Sequence, residues 1–424
     1  MSFMINQIRV VFLTVGVLCA HTIQAAEWKT EPSIYLRTQY NDNVRMRTDI
    51  NNPEGSSGFT IDPRIKFAGE EQQLWDVSID ARGKITRFQD IEDGDSDNIF
   101  FIFDGGKQTE RSNWRLNTSY EDNSNFDTDF DTETPDAGLL DDQTQRKTAS
   151  ITPSVSWNMS EASKLSLSLN TTDVTYDKIT SLSYQDYENS SAKLAMYWLP
   201  VQNHKIGFTA NYSEYDSPEA KFSYEQTLLQ VDYTYTINAT SNLGMSFGGR
   251  KLDSLLEDGQ LVGCENVGEF EALGQCLFSP PVFGDIESSD KGTVVSLSYK
   301  SKSERTSHHY KSGRTVQPSS FGAAQELQNV SYQFSIKNTE RFTTGLILDV
   351  SKTETLSGIN NSDLNDAKRY RFEPSINYRL NKNWNLNILY RYLSIDKTKI
   401  NEESTSNAIF VNLFLHWPKL VTTY

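Results

Sequence analysis

Nearly the whole chain beyond its first 26 residues repeats one pattern. Apolar and polar residues alternate with period two over about 8–12 residues, and then a connector intervenes. In Asn383–Tyr392, Trp384, Leu386, Ile388, Tyr390 and Tyr392 fall on one side, and Asn383, Asn385, Asn387 and Arg391 on the other. Val330, Tyr332, Phe334 and Ile336 alternate with Ser331, Gln333, Ser335 and Lys337; Leu165, Leu167 and Leu169 alternate with Ser166, Ser168 and Asn170. Successive side chains of a strand point to opposite faces, so each segment reads as a strand with one apolar and one polar face. The spacing predicts about 18 such strands, or 16 if the weakly patterned Asn98–Phe103 and His308–Gln317 do not form.

The connectors alternate too. Short polar turns are read at Gly69–Gln72, Asn158–Ser163, Leu199–His204, Asn238–Ser241, Asn338–Glu340 and Asn381–Asn383. Between them come longer, often acidic connectors at Asn41–Ser57, Asp90–Asp97, Asp122–Arg146, Ser254–Glu287 and Leu356–Asp366. Short-long alternation is the asymmetry of a transmembrane β-barrel, with tight periplasmic turns and long outer loops. The fold expected is therefore all-β: one closed antiparallel barrel over residues 26–424, with no second domain. A soluble sandwich closes with about seven to nine strands and has no such loop rule. Aromatics also gather at segment ends (Trp75, Trp114, Trp157, Trp198, Trp384 and Trp417, with Tyr40, Tyr120, Tyr212 and Tyr299), where an amphipathic ring suits a membrane interface. Composition agrees. Only 37% of residues are hydrophobic, too few for a helical membrane protein, whereas 12% are aromatic, too many for a disordered chain. A net charge of −16 leaves no electrostatic footprint for nucleic acid.

Val10–Ala20 is an apolar run of 11 residues, short of the ~20 that span a bilayer as a helix. It follows a short n-region and precedes Ala25 and Ala26. Residues 1–25 read as a signal peptide cleaved after Ala25 or Ala26. Leu18 before Cys19 argues against a lipoprotein site, where a small residue is needed. Export leaves Cys264 and Cys276, an even count that reads as one loop disulfide; a metal pair is the competitor, without a nearby His. The expected location is the Gram-negative outer membrane, and the expected partners are its lipid and lipopolysaccharide and the barrel-assembly machinery.

Ile61–Phe67, Ile151–Trp157 and Phe372–Tyr378 share a central proline, echoed in Glu31-Pro32-Ser33-Ile34-Tyr35. Proline cannot donate to the ladder, so bulges or bends near one rim are expected there. Glu31–Met46, with Tyr40-Asn41-Asp42-Asn43, then Gly58–Phe67, and finally Ser406–Pro418 resemble the porin-like outer-membrane β-barrel proteins found with exopolysaccharide production and exosortase systems in proteobacteria. The resemblance implies the same location and a polysaccharide setting, with polysaccharide or export components as partners; it implies no mechanism. The tail departs from a barrel that ends on an aromatic of its last strand. Either Trp417 fills that role and Pro418–Tyr424 hangs beyond it, or Tyr424 does.

Enzyme readings fare badly. Histidine is scarce, His308 and His309 point to opposite faces, and no His-x-Ser-Asn-Gly phospholipase pattern occurs. Asp93–Asn98 begins like a calcium loop but has Asn98 where glycine is required and Phe101 at the ninth position. The acidic run Asp127–Asp131 with Asp141 and Asp142 reads as an extended, solvated loop. No catalytic residue, cofactor or metal site is expected. The distributed signal is charge on the polar faces: Arg37, Arg64, Lys66, Asp76, Asp80, Arg82, Arg115, Asp232, Lys300, Asp349, Arg371, Arg379 and Arg391. Arg or Lys on a lipid face costs ~2–4 kcal/mol at midplane, so these residues are expected to line a pore. Two function classes follow. One is a porin-like channel for hydrated solutes or exopolysaccharide; the other is a non-conducting scaffold that anchors an envelope assembly.

Overall fold

The computed structural model describes residues 27–48, 52–71, 74–91, 94–124, 144–177, 184–264, 281–319, 323–358, 366–397 and 402–423. The expected signal peptide, Cys276 and the acidic runs at 127–131 and 141–142 lie outside them. Eighteen antiparallel strands form the wall: β1 (Glu27–Asn41), β2 (Ser56–Glu71), β3 (Trp75–Phe88), β4 (Ser96–Gln108), β5 (Ser112–Ser124), β6 (Gln145–Ser160), β7 (Ser163–Tyr176), β8 (Tyr187–Val201), β9 (His204–Ser217), β10 (Phe222–Asn238), β11 (Ser241–Cys264), β12 (Pro281–Lys302), β13 (Thr306–Ser319), β14 (Ala323–Lys337), β15 (Phe342–Gly358), β16 (Ala367–Arg379), β17 (Trp384–Lys397) and β18 (Glu402–His416). Each strand pairs with its neighbours in sequence. β18 returns to β1 from Ser33↔His416 to Asn41↔Ala408, which closes the barrel and leaves no edge.

The alternation sorts itself across this wall. Phe59, Ile65, Leu194, Phe208, Leu229, Phe247, Ile388 and Ile409 stand exposed on the outer face. Tryptophans collect at the short-turn end, where Trp28 stacks on Phe67 at 4.9 Å and Trp114 meets Trp157 edge-on at 6.3 Å. Tyr40, Tyr120, Tyr212 and Tyr370 lie exposed toward the other end.

The expected 18 strands are present: Asn98–Phe103 and His308–Gln317 form strands, within β4 and β13, because neighbours on both sides supply the hydrogen bonds that their own patterning signals weakly. Three expectations are corrected. The prolines sit in strand interiors and make no bulge. Opposite Pro63, Pro153 and Pro374 the ladder to the following strand skips two residues and resumes unshifted, since a missing donor removes bonds without adding a residue. Ser254–Glu287 is not all connector: β11 and β12 continue pairing to Cys264↔Pro281, as a ribbon that outruns the β12–β13 register, which stops at Val295↔Arg314. Finally, the tail does not hang free. A short β19 (Leu420–Thr423) follows Pro418 and pairs with Glu27–Thr30 at the start of β1.

Candidate functional site

The polar face of every strand turns inward, and in the half nearer the short turns its charges pair across neighbouring strands. Arg64 Nε donates to Asp80 at 2.8 Å, and Arg82 Nε donates to Asp62 at 2.7 Å while its guanidinium lies 4.9 Å from the Phe100 ring. Arg115 bridges Asp104 and Asp76, both at 2.9 Å. Asp232 accepts from Thr209 at 2.8 Å and from Gln230 at 2.7 Å. Lys66 opposes Asp80 in register, and Lys300 opposes Asn242 and His309. Arg379 lies at the mouth, donating to the turn carbonyl of Glu340 at 2.7 Å. The arginines stay wet, Arg64 at 49% exposed and Arg115 at 45%, whereas the carboxylates range from Asp76 at 52% to Asp80 at 12% and Asp62 at 5%.

The half nearer the long connectors is different. Arg250 on β11 reaches Glu326 on β14, three strands away, at 3.1 Å, and both side chains are only 2% exposed. Arg250 also pairs with Asp290 at 2.5 Å, and Arg314 approaches Glu326 at 2.6 Å. Val316 and Ala324, near the β13–β14 tip, pack on Val174, Tyr187, Tyr215, Phe222, Tyr224, Leu252 and Leu256 from β7–β11. Contacts between strands so far apart in the wall place that tip inside the barrel, folded over the inner face of β11 and β12. Gly292 permits this crossing, because a Cβ there would lie 2.7–2.9 Å from the Arg250 guanidinium.

A second segment folds in from the opposite side. After β1, Asn43 donates through Nδ2 to the carbonyls of Arg47 at 2.7 Å and Thr405 at 2.9 Å, while its Oδ1 accepts from the Arg47 amide. Asn41 Oδ1 accepts from the Asn43 amide and the Ser406 hydroxyl, and the Asp42 carboxylate accepts from the Asn407 amide and side chain. The Asn41-Asp42-Asn43 element thus latches the first connector onto β18 and seats Met46 against Ala367, Leu393 and Ile395.

Beside this second segment, whose Val44 lines it, lies a cavity of about 530 Å³. Arg37, Lys84, Asp349, Arg371 and Arg391 line it together with Gln39, Gln333, Ser406 and Phe410. Arg371 pairs with Asp349 at 2.6 Å and Arg391 with Glu373 at 2.7 Å. Arg37 and Arg391 lie 4.9 and 5.0 Å from the one Phe410 ring. Arg37 Nε donates to the Tyr35 hydroxyl at 2.6 Å and to Asn412 Oδ1 at 3.1 Å. Of the thirteen charged residues singled out in the sequence, Arg37, Asp349, Arg371 and Arg391 meet here; the others lie elsewhere along the inner face. Sequence reasoning missed Lys84 and Phe410, and it missed the inward aromatics. Tyr215 and Tyr224, stacked 5.0 Å apart, share parity with Ser213 and Gln226 on the polar face, which is the signal that could have found them.

No family model matches the sequence, and no curated protein matches it. Among solved structures the chain is similar to OccK2 (OpdF) of Pseudomonas aeruginosa in complex with glucuronate, at 10% identity and a TM-score of 0.48 over 92% of this chain and 98% of that one. It is also similar to OccAB3 of Acinetobacter baumannii (10%, 0.48, over 93% and 99%) and to a BenF-like porin of Pseudomonas fluorescens Pf-5 (10%, 0.47, over 92% and 99%). The closed 18-strand barrel stands on the strand register itself.

Proposed function

We propose that the chain is an outer-membrane channel, porin-like in build, for hydrated solutes. One observation carries this reading: a closed barrel exposes apolar side chains outside and holds wet, charged side chains inside. Water cannot comfortably face so many exposed large apolar groups, whereas a lipid bilayer can. A closed ladder of 18 strands satisfies its backbone in lipid and encloses an aqueous lumen unless segments fill it. The short-turn end, where β1 starts and β18 stops, faces the periplasm, and the long connectors face outward. In the setting that the sequence resemblance implies, the solute is an exopolysaccharide or its fragments.

A scaffold barrel without conductance is the second reading, favoured by the two segments folded into the outer half. Planar-bilayer recording of the purified protein separates the two. Steady ion conductance supports the channel, and a silent but folded barrel supports the scaffold. Orientation is tested in a background with Cys264 and Cys276 replaced by Ser. Asn387→Cys should react with a membrane-impermeant thiol reagent in intact outer membranes, and Ile388→Cys should not. Equal reaction at both would overturn the placement of the two faces.

A further inference from the structure

The chain as a whole carries a net charge of −16, yet its interior gathers positive charge at one place. Four neighbouring strands, β16, β17, β18 and β1, bring Arg371, Arg391, Phe410 and Arg37 onto one inner patch through the registers Arg371↔Leu393, Leu389↔Phe410 and Arg37↔Asn412. Arg371 and Arg391 each have a carboxylate, Asp349 and Glu373. Arg37 has none among the described residues. Its Nε is held by two neutral acceptors, Tyr35 and Asn412, which fix the guanidinium plane and leave the Nη donors to the cavity it lines. A guanidinium that is immobilised, flanked by two more and unmatched by a carboxylate, is an anion receptor: its planar donors suit a carboxylate better than a point charge would. Lys84 adds a further cation to the wall, and the one carboxylate that lines it, Asp349, is taken up by Arg371. Gln39, Thr60, Thr86, Ser331 and Gln333 offer hydroxyls and amides to the same space. At about 530 Å³ the cavity falls within the ~300–1,000 Å³ usual for small-molecule sites.

We propose that this cavity is a binding site for a hydroxylated carboxylate, an acidic sugar unit, whose carboxylate sits on Arg37 and whose hydroxyls meet the amide and hydroxyl side chains around it. The proposal deepens the channel reading and rests on it for the solute's route of entry. Phe410 serves as the spacer: with Arg37 and Arg391 both against its ring, it holds two cations apart without neutralising either.

The test uses the full mature barrel, with D-galacturonate, D-galactose and inorganic phosphate as probes. In single-channel recording, galacturonate should interrupt the ion current and galactose should not. Arg37→Gln, which keeps a neutral donor in place, should weaken the interruption about tenfold, the order expected for one charge-assisted hydrogen bond. Arg115→Gln, in the other half of the lumen, should leave it unchanged. Heat-modifiable migration on gels confirms that each variant is folded. Conductance with equal response to galacturonate and galactose overturns the site and leaves the channel reading intact. Phosphate acting as strongly as galacturonate overturns the recognition of a hydroxylated carboxylate. If the barrel does not conduct, the channel reading fails, and calorimetric titration of galacturonate into the protein in detergent decides the site alone. Binding that is lost in Arg37→Gln supports it, and no binding overturns it.

Discussion

The two halves of the lumen are built from the same strands and obey different physics. Toward the short turns the inner face is a lattice of cross-strand ion pairs whose arginines keep about half their surface in water, Arg64 at 49% and Arg115 at 45%, while their carboxylates range from 52% at Asp76 to 12% at Asp80. Toward the long connectors the same inward positions carry Tyr215, Phe222 and Leu252, at most 2% exposed, and the Arg250–Glu326 pair is equally buried. Ion pairs that remain hydrated are worth little, because water competes for each partner. Pairs sealed from water are costly to break, because the survivor is left charged in a medium that cannot solvate it. The half nearer the short turns therefore sets the electrostatics of the lumen, and the half nearer the long connectors sets its shape.

That contrast is most severely tested at Glu326. Glu326→Gln leaves Arg250 buried with only Asp290 as a carboxylate partner, and should cost about 3–5 kcal/mol, the usual penalty for removing one member of a buried pair. Urea unfolding of the refolded barrel measures it. The same variant should free the β13–β14 tip and raise single-channel conductance. A loss below that of a surface pair would break the distinction between the halves.

Met46→Ala probes the other in-folded segment. Met46 is 7% exposed, so truncation should cost about 2–3 kcal/mol, near the lower end for a buried methionine with room to relax. Protease sensitivity in the first connector should rise with it. Gly292→Ala is milder still. The added Cβ would meet the Arg250 guanidinium, and about 1–2 kcal/mol is expected from overpacking if the ion-paired side chain cannot shift. An unchanged unfolding midpoint would show that Arg250 moves freely, and that the crossing of the hairpin over β12 is loose.

The sequence made the wall legible and left the in-folded segments hidden, for a physical reason. Alternation such as Trp384, Leu386, Ile388 and Tyr390 against Asn385 and Asn387 records a choice between lipid and water, and that choice recurs on every strand. Where a segment folds into the lumen, the inward face becomes apolar as well and the alternation fades. Tyr187, Tyr215 and Tyr224 then read as noise on a polar stripe, although they are a core. The β11–β12 ribbon was hidden for another reason. Its pairing runs on past the β12–β13 register as a ladder between two strands alone, and Gly259 and Gly263 interrupt the period-two pattern that marks the wall. The charged inner residues were legible by parity, but which of them meet depends on strands far apart in sequence: Arg37 reaches Asn412 across 375 residues.

The smallest effect is the one that sharpens the comparison most. Arg64→Gln removes a bidentate pair with Asp80, whose geometry resembles that of the buried pairs: Nε to the carboxylate at 2.8 and 3.0 Å, with an Nη contact beside it. Geometry alone would rank it with Arg250–Glu326. Solvation ranks it otherwise, because the Arg64 side chain is 49% exposed where Arg250 is 2%, and Asp80 at 12% keeps more water than Glu326 at 2%. The expected cost is therefore only about 0–1 kcal/mol in the unfolding measurement. The charge still matters to ions in transit, since Asp80 is left uncompensated on the inner face. In a KCl gradient the reversal potential should shift toward cation preference while the unfolding midpoint stays put. A stability loss comparable to that of Glu326→Gln would mean that the inner half is sealed as tightly as the outer, and the lumen would then hold no wet half.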